Sequence, residues 1–330
     1  MTEDIQQALP DFSHLTPDTV LHLIEQSLGR RCSNLCRPLT SYINRVYDVE
    51  MDDNSWVVAK FYRPGRWSRD ALQDEQDFLF ELAEREIPVI APLKCADGQF
   101  LQEHHGMHYA LFPKKGGRAC DEPNDRQWLE LGRLLARVHG VGAMHPPRDR
   151  IEIGPAQSTA MHVRFILESD FVRPSLRAEY EAAIREVLDL IAPLFQGVRK
   201  IRIHGDCHRN NIISRPGEPF TLIDFDDMAV GPPVQDLWML LPGHMRHSQA
   251  ELGLLLEGYE TFAELDRGTL KLIEPLRAMR FIHFTAWCAR QKADGGFARV
   301  APDWGTEPFW KQEIHDLRQQ RQEIVDSLEG

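Results

Sequence analysis

Apolar positions recur along this chain with two different periods, and the change of period divides it. Thr16-Pro17 opens a helix, a capping hydroxyl followed by a proline that tolerates the first helical position. Leu21, Leu23 and Ile24 continue it, and Gly29 can end it. Residues 1–15 read as a loose leader. Asn44 to Met51 and Trp56 to Tyr62 carry strand patterns, joined by the turn Asp52-Asp53-Asn54-Ser55. Ser68 caps a helix predicted over about residues 69–86. Pro88 and Pro92 flank a short apolar strand, Asp97-Gly98 is a hairpin turn, and Met107 to Phe112 is a further strand. Lys114-Lys115-Gly116-Gly117 is a hinge, and beyond it helical spacing dominates.

The predicted helices run over about 125–139, 158–169, 175–195, 249–264, 269–292 and 307–328, with Pro275 marking a kink or break. One island of strands, Ile201 to Asp224, interrupts them. The layout is α+β and bilobal, with a small sheet-rich lobe over 1–113 and a larger helical lobe over 114–330.

Composition narrows the function. The chain has 330 residues, 42% hydrophobic and 27% charged, as globular proteins do. Its 38 Lys and Arg against 50 Asp and Glu give a net charge of −12, which argues against a general nucleic-acid binder. No apolar run approaches the roughly 18 residues of a membrane span. The acidic start MTEDIQQALPDFSHL is not a secretory signal. Six scattered cysteines with no CxxC pair suggest reduced thiols and a cytoplasmic protein, expected to act as a monomer.

The island and its exit, IRIHGDCHRNNIISRPGEPFTLIDFDD, carry the chemistry. Asp206 follows an apolar strand and His204-Gly205, and Asn211 is the fifth residue after it. Two strands joined by a Pro-Gly turn bring Asn211, at the start of one, beside Asp224, at the end of the other. Both offer the hard oxygen donors that Mg²⁺ takes while keeping room for phosphate oxygens. Asp206 is placed to accept a proton from an attacking hydroxyl. A base, two metal ligands and an acceptor make a phosphoryl-transfer layout. The alternatives are an ordinary polar hairpin, or a zinc site at His204, Cys207 and His208, for which no fourth ligand falls at a usual spacing.

His204-Gly205-Asp206, Asn211 and Asp224 together resemble the catalytic loop and metal-binding Asp of the protein-kinase-like fold. The His-Gly-Asp form is similar to the aminoglycoside phosphotransferase and choline kinase branch. Asp224-Phe225-Asp226 stands where protein kinases have Asp-Phe-Gly. SYINRVY, KFYRPGRW, GPPVQDLWMLL and LIEPLRAMR further resemble the bacterial stress response kinases within that branch. The resemblance implies an enzyme dependent on ATP and Mg²⁺ that phosphorylates Ser/Thr of a protein substrate in stress survival. It implies Asp206 and Asp224 as catalytic, Asn211 and Asp224 as Mg²⁺ ligands, and Ser41 at the ATP site.

Upstream, Lys60 alternates with apolar neighbours on a strand, and Glu75 shares the buried stripe Leu72, Leu79, Leu82 of its helix. A buried carboxylate needs a partner, so Glu75 is expected to pair with Lys60 and hold it to the nucleotide phosphates. The segment Pro38 to Arg45, where a phosphate-covering loop belongs, contains no glycine. Ser41 there either donates to phosphate or simply starts a strand. At Asp236 the resemblance implies a brace for the catalytic loop, and the residue also reads as an N-terminal helix carboxylate complementing the dipole. A small-molecule kinase for choline, homoserine, a sugar or an aminoglycoside shares these residues, and a pseudokinase would lack one of them. His104, His105 and His108 read as a solvated turn. Trp287, Trp304 and Trp310 read as packing aromatics, while Arg277 and Arg280 face either acceptor or phosphate, or pair with the acidic surface.

Overall fold

A computed structural model describes residues 12–292 and 297–329. In chain order it begins with α1 (Pro17–Leu28), β1 (Cys32–Leu39), β2 (Arg45–Met51), β3 (Trp56–Phe61) and α2 (Arg69–Glu84). Next come β4 (Leu101–His104), β5 (Met107–Pro113), β6 (Arg118–Ala119), α3 (Asp125–Gly142), α4 (Ala160–Glu168) and α5 (Pro174–Ile191). The island holds β7 (Ile201–Ile203), β8 (Ile212–Ser214), β9 (Thr221–Leu222) and β10 (Ala229–Gly231). Then follow α6 (Val234–Trp238), α7 (Gln249–Tyr259), α8 (Ile273–Gln291), α9 (Phe297–Val300) and α10 (Glu307–Glu329). No helix among the described residues is long and apolar enough to cross a membrane.

The chain divides into two compact units, each discontinuous in sequence. One takes the residues up to Asp121 with Pro147–Arg150 and Asn210–Asp226, and the other takes Glu122–Pro146, Ile151–Arg209 and the residues from Asp227 on.

The first unit is built on a five-stranded antiparallel sheet in the order β1-β2-β3-β5-β4. Strand side chains alternate between faces. Val57, Ala59 and Phe61 of β3 therefore join Val20, Leu23 and Ile24 of α1 in one apolar cluster. Lys60 points the other way, and Tyr62 beyond it packs with Leu72 of α2. Thr16 caps α1 through the Thr19 N–H, and Gly29 ends it at φ +63°. Ser68 caps α2 in the same way. β8 pairs with both β6 and β9 in a small second sheet.

Several expectations are corrected. Leu15 is buried and its carbonyl accepts from Tyr47, so residues 12–15 are docked, while the rest of the expected leader lies outside the described residues. β1 is a strand that the sequence pattern did not reveal, because its polar, largely exposed edge position shows no alternation. Between Pro88 and Pro92 only Val89 makes a β-bridge, to Leu222, and no strand forms. The hairpin turn expected around Gly106 forms there, with His105 and Gly106 both at positive φ between β4 and β5. Asp97-Gly98 is a separate turn preceding β4. Pro275 neither kinks nor breaks a helix. It sits in the first turn of α8, where a missing N–H costs nothing.

The second unit is helical. α3 crosses α7 at two glycines: a Cβ on Gly132 would collide with the Leu255 carbonyl, and one on Gly258 with the Leu129 carbonyl. α10 packs along α5 and α8, where Trp310 is fully buried edge-on to Tyr180. β7 pairs antiparallel with β10, and these two short strands carry the loop that contains Asp206.

Candidate active site

In the first unit the chemistry centres on Lys60. β3 lies between β2 and β5, pairing Lys60 with Val46 and Ala110, and the Lys60 side chain is buried. It lies 3.5 Å from Glu75 Oε1, 3.0 Å from Asp224 Oδ1 and 3.6 Å from Asp226 Oδ1. Burial alone would lower its pKa, but the three carboxylates outweigh burial and raise it well above the usual value. Lys60 therefore stays cationic. Glu75 also accepts from the Tyr62 hydroxyl at 3.1 Å and faces the fully buried Arg150 guanidinium at 3.5 Å. Burial dominates at Glu75 and raises its pKa despite Lys60.

In the β8–β9 hairpin Asn211 stands opposite Ile223, the residue before Asp224. Ile212 pairs with Leu222, and the Ile223 N–H donates to the Asn211 carbonyl at 3.0 Å. Asn211 is buried, whereas the Asp224 side chain is 54% exposed. Asp224 sits at φ +61°, a left-handed conformation that costs a non-glycine residue energy and that recurs at functional positions. Phe225 turns inward against Phe78 of α2, with ring centroids 5.8 Å apart. An amide oxygen and an exposed carboxylate on adjacent rungs are a hard-oxygen donor set, so these residues fit a Mg²⁺ ion shared with phosphate.

Asp226, in place of the expected glycine, is buried. It pairs with Arg66 and accepts from the Asn44 amide at 3.3 Å. Burial would raise its carboxyl, but Lys60, Arg66 and Arg150 hold it below the ordinary value. Asn44 Oδ1 also accepts from the Arg63 N–H, and the Arg63 guanidinium donates to the Ile43 and Tyr42 carbonyls. The glycine-free β1–β2 connection, residues 40–44, is thus tied down by side chains. Ser41 lies within this connection, partly buried, and does not start a strand.

The second unit carries Asp206. Its backbone is braced from below: the His204 and Gly205 N–H groups donate to Asp236 at 2.8 and 2.9 Å. His139 Nε2 lies 3.0 Å from the same carboxylate. Gly205 has φ +83°, and a Cβ there would collide with the Asp227 carbonyl, so this loop takes glycine between His and Asp. Asp206 Oδ1 is 2.9 Å from Arg280 of α8, and Oδ2 is 3.4 Å from His208 Nε2. Burial would raise the Asp206 carboxyl, yet the His208 hydrogen bond and the Arg280 charge hold it well below the usual carboxylate range. Asp206 is therefore held in its ionised form. The zinc alternative loses its ligands to other roles, since His208 serves Asp206 and burial pushes the Cys207 thiol up, away from thiolate.

Sequence reasoning did not find Asn44, Arg66, Arg150 or Asp226 as members of the Lys60 cluster. Their partners are assembled by the fold, and no local spacing announces them. Arg280 was visible as a candidate but without a partner.

A profile of the phosphotransferase enzyme family (APH) matches residues 36–273. A curated relative from Salmonella paratyphi A, named "Stress response kinase A", is 39% identical over 305 residues, 92% of this chain and 91% of the relative. A second, from Salmonella typhimurium, named "Serine/threonine protein kinase RdoA", is 38% identical with the same coverage. Among solved structures, the amicoumacin kinase hAmiN, determined with AMP-PNP, Ca²⁺ and Ami, superposes with a TM-score of 0.71. It shares 20% identity over 94% of this chain and 93% of its own, a likeness of fold.

Proposed function

The chain belongs to the phosphotransferase enzyme family, and on that premise we propose that this kinase carries the γ-phosphoryl group of ATP to Ser and Thr hydroxyls of proteins, with Mg²⁺ as its divalent cation. The observation that carries the reading is the Lys60 ammonium, buried and shared among Glu75, Asp224 and Asp226. A cation held in this way is suited to the α- and β-phosphates of a nucleotide. Asn211 and Asp224 would hold Mg²⁺, which when bound neutralises charge on the phosphate oxygens.

Asp206 accepts the proton of the attacking hydroxyl as the oxygen bonds to the γ-phosphorus. The bond from that phosphorus to the bridging oxygen breaks, and ADP leaves with the electron pair. Asp236 fixes the loop so that Asp206 need not reorganise. Ser41, on the connection tied down by Asn44 and Arg63, is assigned to the ATP site. A protein acceptor is favoured by relatives named as stress response and serine/threonine protein kinases. The competing reading is a small alcohol acceptor, because amicoumacin kinase and an aminopropanol kinase share the fold.

Labelled ATP offered with a generic protein acceptor, choline, homoserine and an aminoglycoside separates the two. Label is expected in protein, and Asp206→Ala should lower its incorporation by roughly 10²–10⁴-fold. Turnover of one small alcohol far above that of protein would defeat the protein reading.

A further inference from the structure

Arg280 occupies one oxygen of Asp206, the carboxylate to which the acceptor hydroxyl must come. It lies 2.9 Å from Oδ1, and its own side chain is 46% exposed. It reaches there from α8. Arg280, Phe284 and Trp287 stand at spacings of four and three residues, which stack on one side of a helix. Phe284 is 51% exposed, a large apolar side chain left in water, and its ring lies nearly parallel to Trp287 at 5.8 Å. From Arg280 to Trp287 is about 10 Å along the axis, the length of roughly three extended residues.

The neighbouring cations do not share this disposition. Arg277 is engaged with Glu274 and the Gly243 carbonyl and lies over Trp238. Arg290 faces His162 and covers Phe165. Arg280 alone of the three spends its charge on Asp206.

We propose that this face of α8 receives the acceptor, a polypeptide segment whose Ser or Thr lies next to an acidic residue and is followed by a bulky apolar one. The acidic side chain takes Arg280 in a charge-assisted pair, the hydroxyl takes the position Arg280 vacates at Asp206 Oδ1, and the apolar side chain lies on Phe284 and Trp287. The occupant follows from charge: an arginine beside the base repels a cationic acceptor such as an aminoglycoside and attracts an anionic one. This deepens the protein-kinase reading and rests on it.

The test uses the full chain, ATP with Mg²⁺, and three peptides that share one Ser and differ only beside it, in Glu, Gln or Lys. Wild type should favour the Glu peptide over the Gln peptide by roughly 10- to 100-fold in kcat/KM, mostly through KM. Arg280→Ala should bring that ratio to within about twofold, and Arg280→Glu should turn the preference to the Lys peptide. Phe284→Ser, at an exposed position, should raise KM roughly tenfold for a peptide with a downstream Leu and leave a downstream-Gly peptide unaffected by comparison. A Glu:Gln ratio that stays the same in Arg280→Ala would overturn the proposal and leave Arg280 only a positioning residue for Asp206. If wild type labelled no peptide but turned over a small alcohol, the protein-kinase reading beneath it would fall as well.

Discussion

Lys60 is surrounded by more negative charge than it can neutralise alone, and Arg150 and Arg66 complete the balance. Removing the ammonium leaves buried carboxylates without their nearest counter-charge. Lys60→Met is therefore expected to abolish nucleotide binding and to lower folding stability by roughly 3–5 kcal/mol. Adding Glu75→Gln should recover part of the stability but none of the binding, a non-additivity that denaturant unfolding of the single and double variants would measure. Equal stability of Lys60→Met and wild type would mean that the cluster relaxes into solvent. Periodicity alone pointed Glu75 at Lys60, because a charged residue in an apolar stripe implies a partner. It could not show that Asp224 approaches Lys60 more closely than Glu75 does, or that Asp226, already read where protein kinases have glycine, brings Lys60 a third carboxylate. Those contacts join residues more than 160 positions apart, and no local pattern records them.

Helices announce themselves through capping and spacing, which is why α1, α2, α3 and α10 were legible to within a few residues. Edge strands do not. β1 contains Pro38 and exposes alternate and consecutive residues alike, so period two is absent from its sequence. Packing between helices is equally silent. Gly132 carries no local signal, yet it lets α7 approach α3, and Gly132→Ala should cost roughly 1–3 kcal/mol by forcing the helices apart. Thermal unfolding would check this, with Gly140→Ala, at an open helix position of α3, as the control.

The contact of α8 with α10 has a different sensitivity. Thr285 donates to Glu313 at 2.6 Å, and burial raises the Glu313 pKa from 4.5 to about 7. A carboxyl raised in the folded state stabilises below its unfolded pKa, and that contribution is lost as pH rises towards the folded value. Between pH 4.5 and 7 the loss amounts to about 3 kcal/mol. Glu313→Gln should remove this slope and make the protein more stable than wild type at pH 8. Parallel stability–pH curves for the two would show that Glu313 is solvated.

At the scale of the molecule, the chain leaves and re-enters each unit. The first unit closes only when Arg148 and Arg150 meet Asp74 and Glu75, and when the β8–β9 hairpin brings Asp224 and Asp226 to Lys60. A fragment ending at Asp121 keeps the five-stranded sheet but loses these partners. It is expected to give no cooperative unfolding transition by circular dichroism, whereas the full chain should give one. A well-folded fragment would show that the sheet and α1 suffice. The α+β division could be read from the switch in period; the discontinuity could not, since it depends on which segments return.

The return of residues 210–226 to the first unit has a consequence during synthesis. At the usual rate of translation, about a hundred residues between the sheet and its missing hairpin take roughly 5–20 s to emerge from the ribosome. Throughout that interval the nascent chain carries Lys60 without Asp224 and Asp226, two of its three carboxylate partners. Slower decoding across that stretch would lengthen exposure to proteases and chaperones, and the yield of active enzyme would be set there, before any substrate is met.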